Sequence, residues 1–275
     1  MMTDLAIDRA VQLWFDGPVA HVRLNRPDAL NAYSHALVRD LDRVLDVIEQ
    51  HGDCRVIVLG ARGRAFSTGG DLKEFKLRLT DPDPSRLPAF IREVAAVLSR
   101  VERASQPVIA AVDGIAVAGG LELILCCDLV VATRDVKIGD GHLRYAVLPG
   151  GGGAARLIKK IPANIARQLL LTGELLTSSE LHRYGLVNEL VDTAEELEQR
   201  VIQIATVIAS RSPHGVTALK RVANAASEVS VADGLKLELE AFESHIRTAD
   251  FAEGLEAFAE RRAPIFQPLD RTSGR

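Results

Sequence analysis

A chain of 275 residues, 47% hydrophobic and 25% charged, has the composition of an ordinary globular protein, long enough for one large domain or for one domain with an appended subdomain. Its net charge of -4 argues against a nucleic-acid surface, which needs a clustered excess of Lys and Arg, and no run of about twenty apolar residues is present to span a membrane. Cys54, Cys126 and Cys127 have neither a disulfide nor a metal spacing, and the N-terminal MMTDLAIDRA lacks the apolar core of a secretory signal, so a cytoplasmic protein with reduced thiols is expected.

Residues 11–24, VQLWFDGPVAHVRL, read as a hairpin turning at Asp16-Gly17-Pro18. Apolar residues at Leu37, Leu41, Val44, Leu45 and Ile48 follow a helical period over 34–50, with Ser34 as the cap. A buried-strand run at 55–60 leads into RGRAFSTGGDLKEF, residues 62–75. There Gly69-Gly70 precede a helix start with Asp71 as its cap and Glu74 at the capping-box distance. From Lys76 to Pro88 the pattern fails around Asp81-Pro82-Asp83-Pro84-Ser85, which predicts a surface loop or lid. A helix resumes over 89–103 and stops before Pro107.

Val108 to Val112 form a second buried-strand run, broken by Asp113-Gly114. Gly119-Gly120 then open an apolar helix from Leu121, with Glu122 in its first turn, where an acid is electrostatically favoured. This is a second strand-to-glycine-to-helix turn. The first N–H groups of a helix have no intrahelical partner, so each turn can offer a donor, and two donors converging on one oxygen would stabilise negative charge there. Beyond it, 129–132 and 136–138 read as strands and Gly139-Asp140-Gly141-His142 as a turn. The run Gly150–Gly153 has no Lys-Ser/Thr after it and no GxGxxG context, so it reads as close backbone packing rather than a phosphate loop. Helices from 154 and over 165–171, a helix start at Thr177-Ser178-Ser179-Glu180 and a strand at 187–191 complete an alternating part, which implies parallel pairing. After Asp192 only helices are expected, at about 194–210, 213–225, 230–248 and 251–260.

The segments LNRPDALNA at 24–32, AFSTGGDLKE at 65–74, AAVDGIAVAGGLELILCCD at 110–128, LPGGGGAARL at 148–157 and EGLEAFAERRAPIF at 253–266 resemble, in order, those of the crotonase superfamily, the enoyl-CoA hydratase/isomerase family. The resemblance covers nearly the whole chain. It implies an α/β fold, a spiral of ββα repeats over 1–193, followed at 194–275 by a helical subdomain that builds a homotrimer or a dimer of trimers. It implies an acyl-CoA thioester as substrate, with coenzyme A carried by the substrate and no separate cofactor or metal.

By position, Gly70 and Gly119 would supply the two oxyanion N–H groups that stabilise a thioester enolate, and Glu122 would be the first of two acid/base glutamates. Ala29, Leu30, Thr68, Asp71, Leu72 and Lys73 would contact CoA or substrate, although Asp28 stands where relatives often carry a phosphate-binding lysine. Phe266 matches an aromatic near the CoA adenine, with an interface anchor as the alternative. The second glutamate of the hydratases lies seven residues before the proline of the glycine segment, and counting back from Pro149 gives His142. Imidazole titrates near neutrality and is a competent acid/base. Three enzymatic readings follow: hydration with His142 in place of a carboxylate, isomerisation with Glu122 alone shuttling a proton, or C–C hydrolysis of a β-diketone with His142 activating water. A catalytically silent CoA-binding protein is the alternative of another class, and retention of Glu122 speaks against it. The RNA-binding role of one branch of the family lacks its basic helix here.

Overall fold

The computed structural model describes residues 9–268; the first eight residues, on which the expectation about a secretory signal falls, and 269–275 lie outside it. The expected hairpin forms, with β1 (Val11–Asp16) antiparallel to β2 (Val19–Leu24). Next to β2 come β3 (Val56–Ala61), β5 (Val108–Val112), β7 (Leu129–Thr133) and β10 (Glu189–Val191), each parallel to its neighbour, in one six-stranded sheet. Its central strands read as unbroken apolar runs because both faces are covered. Side chains alternate across a strand. Ile57 and Leu59 accordingly join the main core while Val56 and Val58 face the other side.

A second, four-stranded sheet holds β4 (Ala65–Ser67), β6 (Ile115–Val117) and β8 (Lys137–Gly139) in parallel, with β9 (Leu175–Thr177) antiparallel to β8. Three times in succession the chain gives one strand to the large sheet, the next to the small sheet, and then a helix. The helices are α2 (Leu72–Leu79) after β3-β4, α4 (Gly119–Leu125) after β5-β6, and α5 (Gly153–Lys160) after β7-β8. This repetition is the spiral of ββα units.

Helix α1 (His35–Gln50) buries the expected stripe, and the Ser34 hydroxyl accepts from the Leu37 N–H at 3.2 Å. Helix α3 (Arg86–Arg103) packs beside α1, and its Arg100 reaches Asp42, Asp46 and Glu49 across the groove. The segment 76–88 differs from the expected loop: α2 continues to Leu79 and α3 begins at Arg86. Asp81 and Asp83 accept from the N–H groups of Asp83 and Ser85 two residues on, which confines the turn to 80–85. Pro88 lies in the first turn of α3, where no intrahelical N–H bond is required of it.

Helices α6 (Ala163–Thr172) and α7 (Ser178–Arg183) precede β10, and Thr177 with Glu180 forms a complete capping box. Helix α8 (Ala194–Ala209) lies on the outer face of the large sheet, where Leu197, Val201 and Ala205 cover Val58, Ile109 and Val131. Helices α9 (Pro213–Ala226), α10 (Val231–His245) and α11 (Ala249–Glu260) follow. Along α10, Val231, Leu235, Leu239, Phe242 and Ile246 are exposed, as are Leu255 and Phe258 of α11.

Candidate active site

Strands β4, β6 and β8 are adjacent and parallel, so their C-terminal ends open side by side. From them emerge Gly69-Gly70, Ala118-Gly119 and Asp140-Gly141-His142. Ligands of parallel sheets collect at such strand ends. Here a cavity of about 610 Å³ is lined by Ala29, Leu30, Gly70, Gly119, Glu122 and His142 among others.

The first glycine turn is held by Tyr33, whose N–H donates to the Gly69 carbonyl at 2.6 Å and whose carbonyl accepts from Asp71 N–H at 3.1 Å. That single parallel bridge engages the residues either side of Gly70 and turns the Gly70 N–H the other way. At the second turn Ala118 sits at φ 55, ψ -116, a strained conformation for a residue with a Cβ. Gly119, as the first residue of α4, has no intrahelical acceptor for its N–H. The two turns touch: a Cβ on Gly69 would come within 2.7 Å of the Gly119 nitrogen, and one on Gly119 within 2.7 Å of the Tyr33 ring. The Tyr33 hydroxyl donates to the Gly119 carbonyl at 2.7 Å. Burial, and secondly the charge of Glu122, push that phenol well above its ordinary range.

Glu122 is 3% exposed and points into the cavity. Its Oε1 accepts from Gly151 N–H at 2.8 Å and Gly153 N–H at 3.0 Å. The glycine run therefore packs closely, as expected, and also grips a carboxylate of its own chain at the start of α5. A Cβ on Gly151 would lie 2.6 Å from Glu122 Oε2.

His142 opens a short 3₁₀ turn, His142–Tyr145, and its side chain is 9% exposed. Its Nδ1 lies 2.9 Å and 3.1 Å from the two carboxylate oxygens of Asp140, itself 1% exposed. Nothing in the spacing of a Gly-Asp-Gly-His turn announces that pairing.

Most of the sequence-predicted site residues meet here. Gly70, Gly119, Glu122 and His142 share the cavity with Ala29, Leu30, Thr68, Asp71, Leu72 and Lys73. Asp71 caps α2 as expected, accepting from the N–H groups of Lys73 and Glu74, but Glu74 turns to His35 N–H and Arg78 instead of completing a capping box. Phe266 is not among the lining residues; its carbonyl accepts from Arg55 at 2.9 Å, beside the end of α8. Three contributors escape the sequence reading. Asn31, fully buried at φ 53, ties the 26–32 loop to the carbonyls of Arg62 and Ala65 and so presents Ala29 and Leu30 to the cavity. Tyr33 and Asp140 are the others, and their partners are distant in sequence or hidden by a glycine.

A ββα spiral whose small-sheet strand ends carry paired glycine turns and a gripped glutamate defines a class of protein, and comparison with known sequences agrees with it. The family model described as Enoyl-CoA hydratase/isomerase matches residues 15–268. A putative enoyl-CoA hydratase/isomerase of Bacillus subtilis is 36% identical over 252 residues, 91% of this chain and 95% of the relative. The (E)-benzylidenesuccinyl-CoA hydratase of Thauera aromatica is 35% identical over 260 residues, 94% of this chain and 98% of its own length. Among solved structures, the enoyl-CoA hydratase of Bacillus anthracis superposes with a TM-score of 0.88 at 34% identity, covering 94% of this chain and 99% of that one. The chain belongs to the enoyl-CoA hydratase/isomerase family.

Proposed function

We propose that the protein binds an acyl-CoA thioester with its carbonyl oxygen between the Gly70 and Gly119 N–H groups, and that Glu122 and His142 move protons at the neighbouring carbons. The observation that carries this reading is the meeting, in one cavity, of the Gly70 and Gly119 turns with a buried glutamate held by backbone donors. In hydration, the water oxygen bonds to Cβ and the C=C electron pair moves through Cα onto the thioester oxygen. The water proton passes to one of Glu122 and His142. The other supplies the proton that Cα takes as the carbonyl re-forms. Preorganised donors at a developing oxyanion are commonly the largest single contribution to such catalysis.

Ala29, Leu30, Thr68 and the 71–73 segment would receive the CoA moiety at the cavity rim. Phe266 is better placed as an anchor of the tail on Arg55 than as an adenine contact within its own chain. The exposed apolar stripe of α10, with Leu255 and Phe258 of α11, supports a homotrimer or a dimer of trimers. The division at about 194 is kept as part of this reading, with 194–275 as the assembling subdomain: α8 covers the large sheet, and α9–α11 would make the contacts between copies. The buried thiols of Cys54, Cys126 and Cys127 support work in the cytoplasm.

The cavity position of His142 favours one second reading, C–C hydrolysis of a β-diketone with His142 activating water. Turnover of a panel of enoyl-CoA thioesters and cyclic β-diketones, followed by loss of conjugation or of diketone, separates the two. Glu122→Gln keeps an oxygen for the Gly151 and Gly153 N–H groups but transfers no proton. It is expected to lower enoyl-CoA turnover about a hundredfold or more with acyl-CoA affinity preserved. Turnover of diketones alone, with no acyl-CoA bound, would overturn the first reading.

A further inference from the structure

The Asp140 carboxylate has a conspicuous set of partners. Its side chain is 1% exposed, yet among the described residues the hydrogen bonds it accepts come from one residue: the His142 backbone N–H at 3.3 Å and its ring Nδ1 at 2.9 and 3.1 Å. A buried carboxylate is costly to desolvate and is kept where a specific group needs it. The turn between them is built for this return. Gly141 adopts φ +64, and a Cβ there would come within 2.6 Å of Val117, so the chain folds back only with glycine at that position. Asp140 does not line the cavity and His142 does. The ring therefore stands between carboxylate and cavity, with Nδ1 to the rear.

We propose that Asp140 is a positioning residue that fixes His142 in one tautomer. Nδ1 carries the hydrogen, donated to Asp140, and the Nε2 lone pair is presented to the cavity as the proton acceptor. An imidazole free to exchange tautomers would present a donor there part of the time. When Nε2 takes a proton, the resulting imidazolium lies against a buried carboxylate, the logic by which an acid orients and supports a catalytic histidine. The inference rests on the proposed role of His142. Ionisable groups lining the same cavity are Glu122 on α4, Tyr33, Asp28, Asp71 and Lys73 around the first glycine turn, and Arg144 and Tyr145 on the histidine's own turn.

The test begins with the unaltered protein. Nitrogen-15 histidine spectra should show the His142 signal, assigned by its loss in His142→Ala, as the Nδ1–H form; an Nε2–H form overturns the proposal whatever the variants do. Asp140→Asn preserves size but removes the charge and the tautomer preference, since an amide can turn either its oxygen or its NH₂ to Nδ1. It is expected to lower kcat by up to the roughly hundredfold to ten-thousandfold that a general acid/base supplies, to leave the Kd for acyl-CoA nearly unchanged, and to mix the two tautomers. Its pH–rate profile should change in the same limb that His142→Ala removes. In a His142→Ala background, Asp140→Asn should cost nothing further, because the two act as a unit. A loss that persists in that background would overturn the proposal. So would full activity of Asp140→Asn in an enzyme that His142→Ala cripples, and that result would leave the role of His142 standing. An unimpaired His142→Ala enzyme would instead refute the underlying reading, whatever the tautomer.

Discussion

Gly151→Ala offers a sharp test of whether the grip on Glu122 matters. Gly151 is not in a left-handed conformation, so alanine is allowed by the backbone, and its effect comes from contact alone. The new methyl would sit 2.6 Å from Glu122 Oε2 and 2.7 Å from Leu98 Cδ1, against an ordinary contact of at least 3.4 Å. Both neighbours must therefore give way, Glu122 by about 0.8 Å and Leu98 by about 0.7 Å, and a shift of that size can cost on the order of a hundredfold at a reacting centre. Leu98 lies in the core, so its share of the shift is taken up by strained packing and read as lost stability. Glu122 faces the cavity and moves. The expected outcome is a tenfold to hundredfold fall in kcat for a short 2-enoyl-CoA, read from loss of the conjugated thioester absorbance, with Kd for acyl-CoA by calorimetry nearly unchanged. Gly153→Ala is the control: its methyl would meet Glu122 at 3.2 and 3.3 Å, a few tenths of an ångström too close, and the loss should stay within about threefold. Equal losses in both variants, or none in Gly151→Ala, would refute the placement of Glu122 as the group whose position limits turnover.

Two further outcomes follow from burial. Light scattering should show an assembly larger than a monomer, and Leu239→Asp with Phe242→Asp, on the exposed stripe of α10, should dissociate it; a native-like monomer of the unaltered chain would refute the assembly. Burial pushes the Cys126 thiol up to about 12 and raises Cys127 well above its ordinary value, so both stay protonated in the fold after the unfolded chain has begun to ionise near pH 9. Folded stability is then complete below about pH 9 and falls as pH rises toward 12, by about 1.4 kcal/mol per pH unit for each thiol within that window. Cys126→Ala should flatten the alkaline fall in urea-unfolding stability, and a flat profile from pH 9 to 11 in the unaltered protein would contradict the burial argument.

The longer strands of the large sheet and the long helices are legible because their patterns are long; β10, with three residues, is not of that kind. The stripe from Leu37 to Ile48 covers four turns, and β3 and β5 are unbroken apolar runs. The small sheet was less so. Strands β4, β6 and β9 have three residues each, too few for any periodicity to register, and they are specified by their neighbours rather than by their own sequence. Helix α2 was half hidden because Asp81 to Ser85, a strong breaker cluster, pulled the reading of the preceding turn toward loop. Phe266 matched a motif, but its place depends on Arg55 and the end of α8, neither of which a terminal segment can reveal.

The same contrast divides the site. The half that the proposed reading assigns to carbonyl binding is made of backbone, and backbone geometry leaves a record in glycine. Gly69 must admit Ala118, Gly120 must let the Ser67 carbonyl approach, and Gly119 must clear Tyr33, so each constraint is written at the position it acts on. The proton-handling half is made of side chains whose settings come from elsewhere: Glu122 from Gly151 and Gly153, His142 from Asp140. Those two settings hang on the ends of different strands and loops, and neither passes through the Gly70 or Gly119 peptide. A change of side chain at 142 can thus leave the two glycine turns where they are. On the proposed reading, that independence would let the reaction at Cα and Cβ depend on Glu122, His142 and Asp140, while recognition of the thioester would depend on the glycine turns.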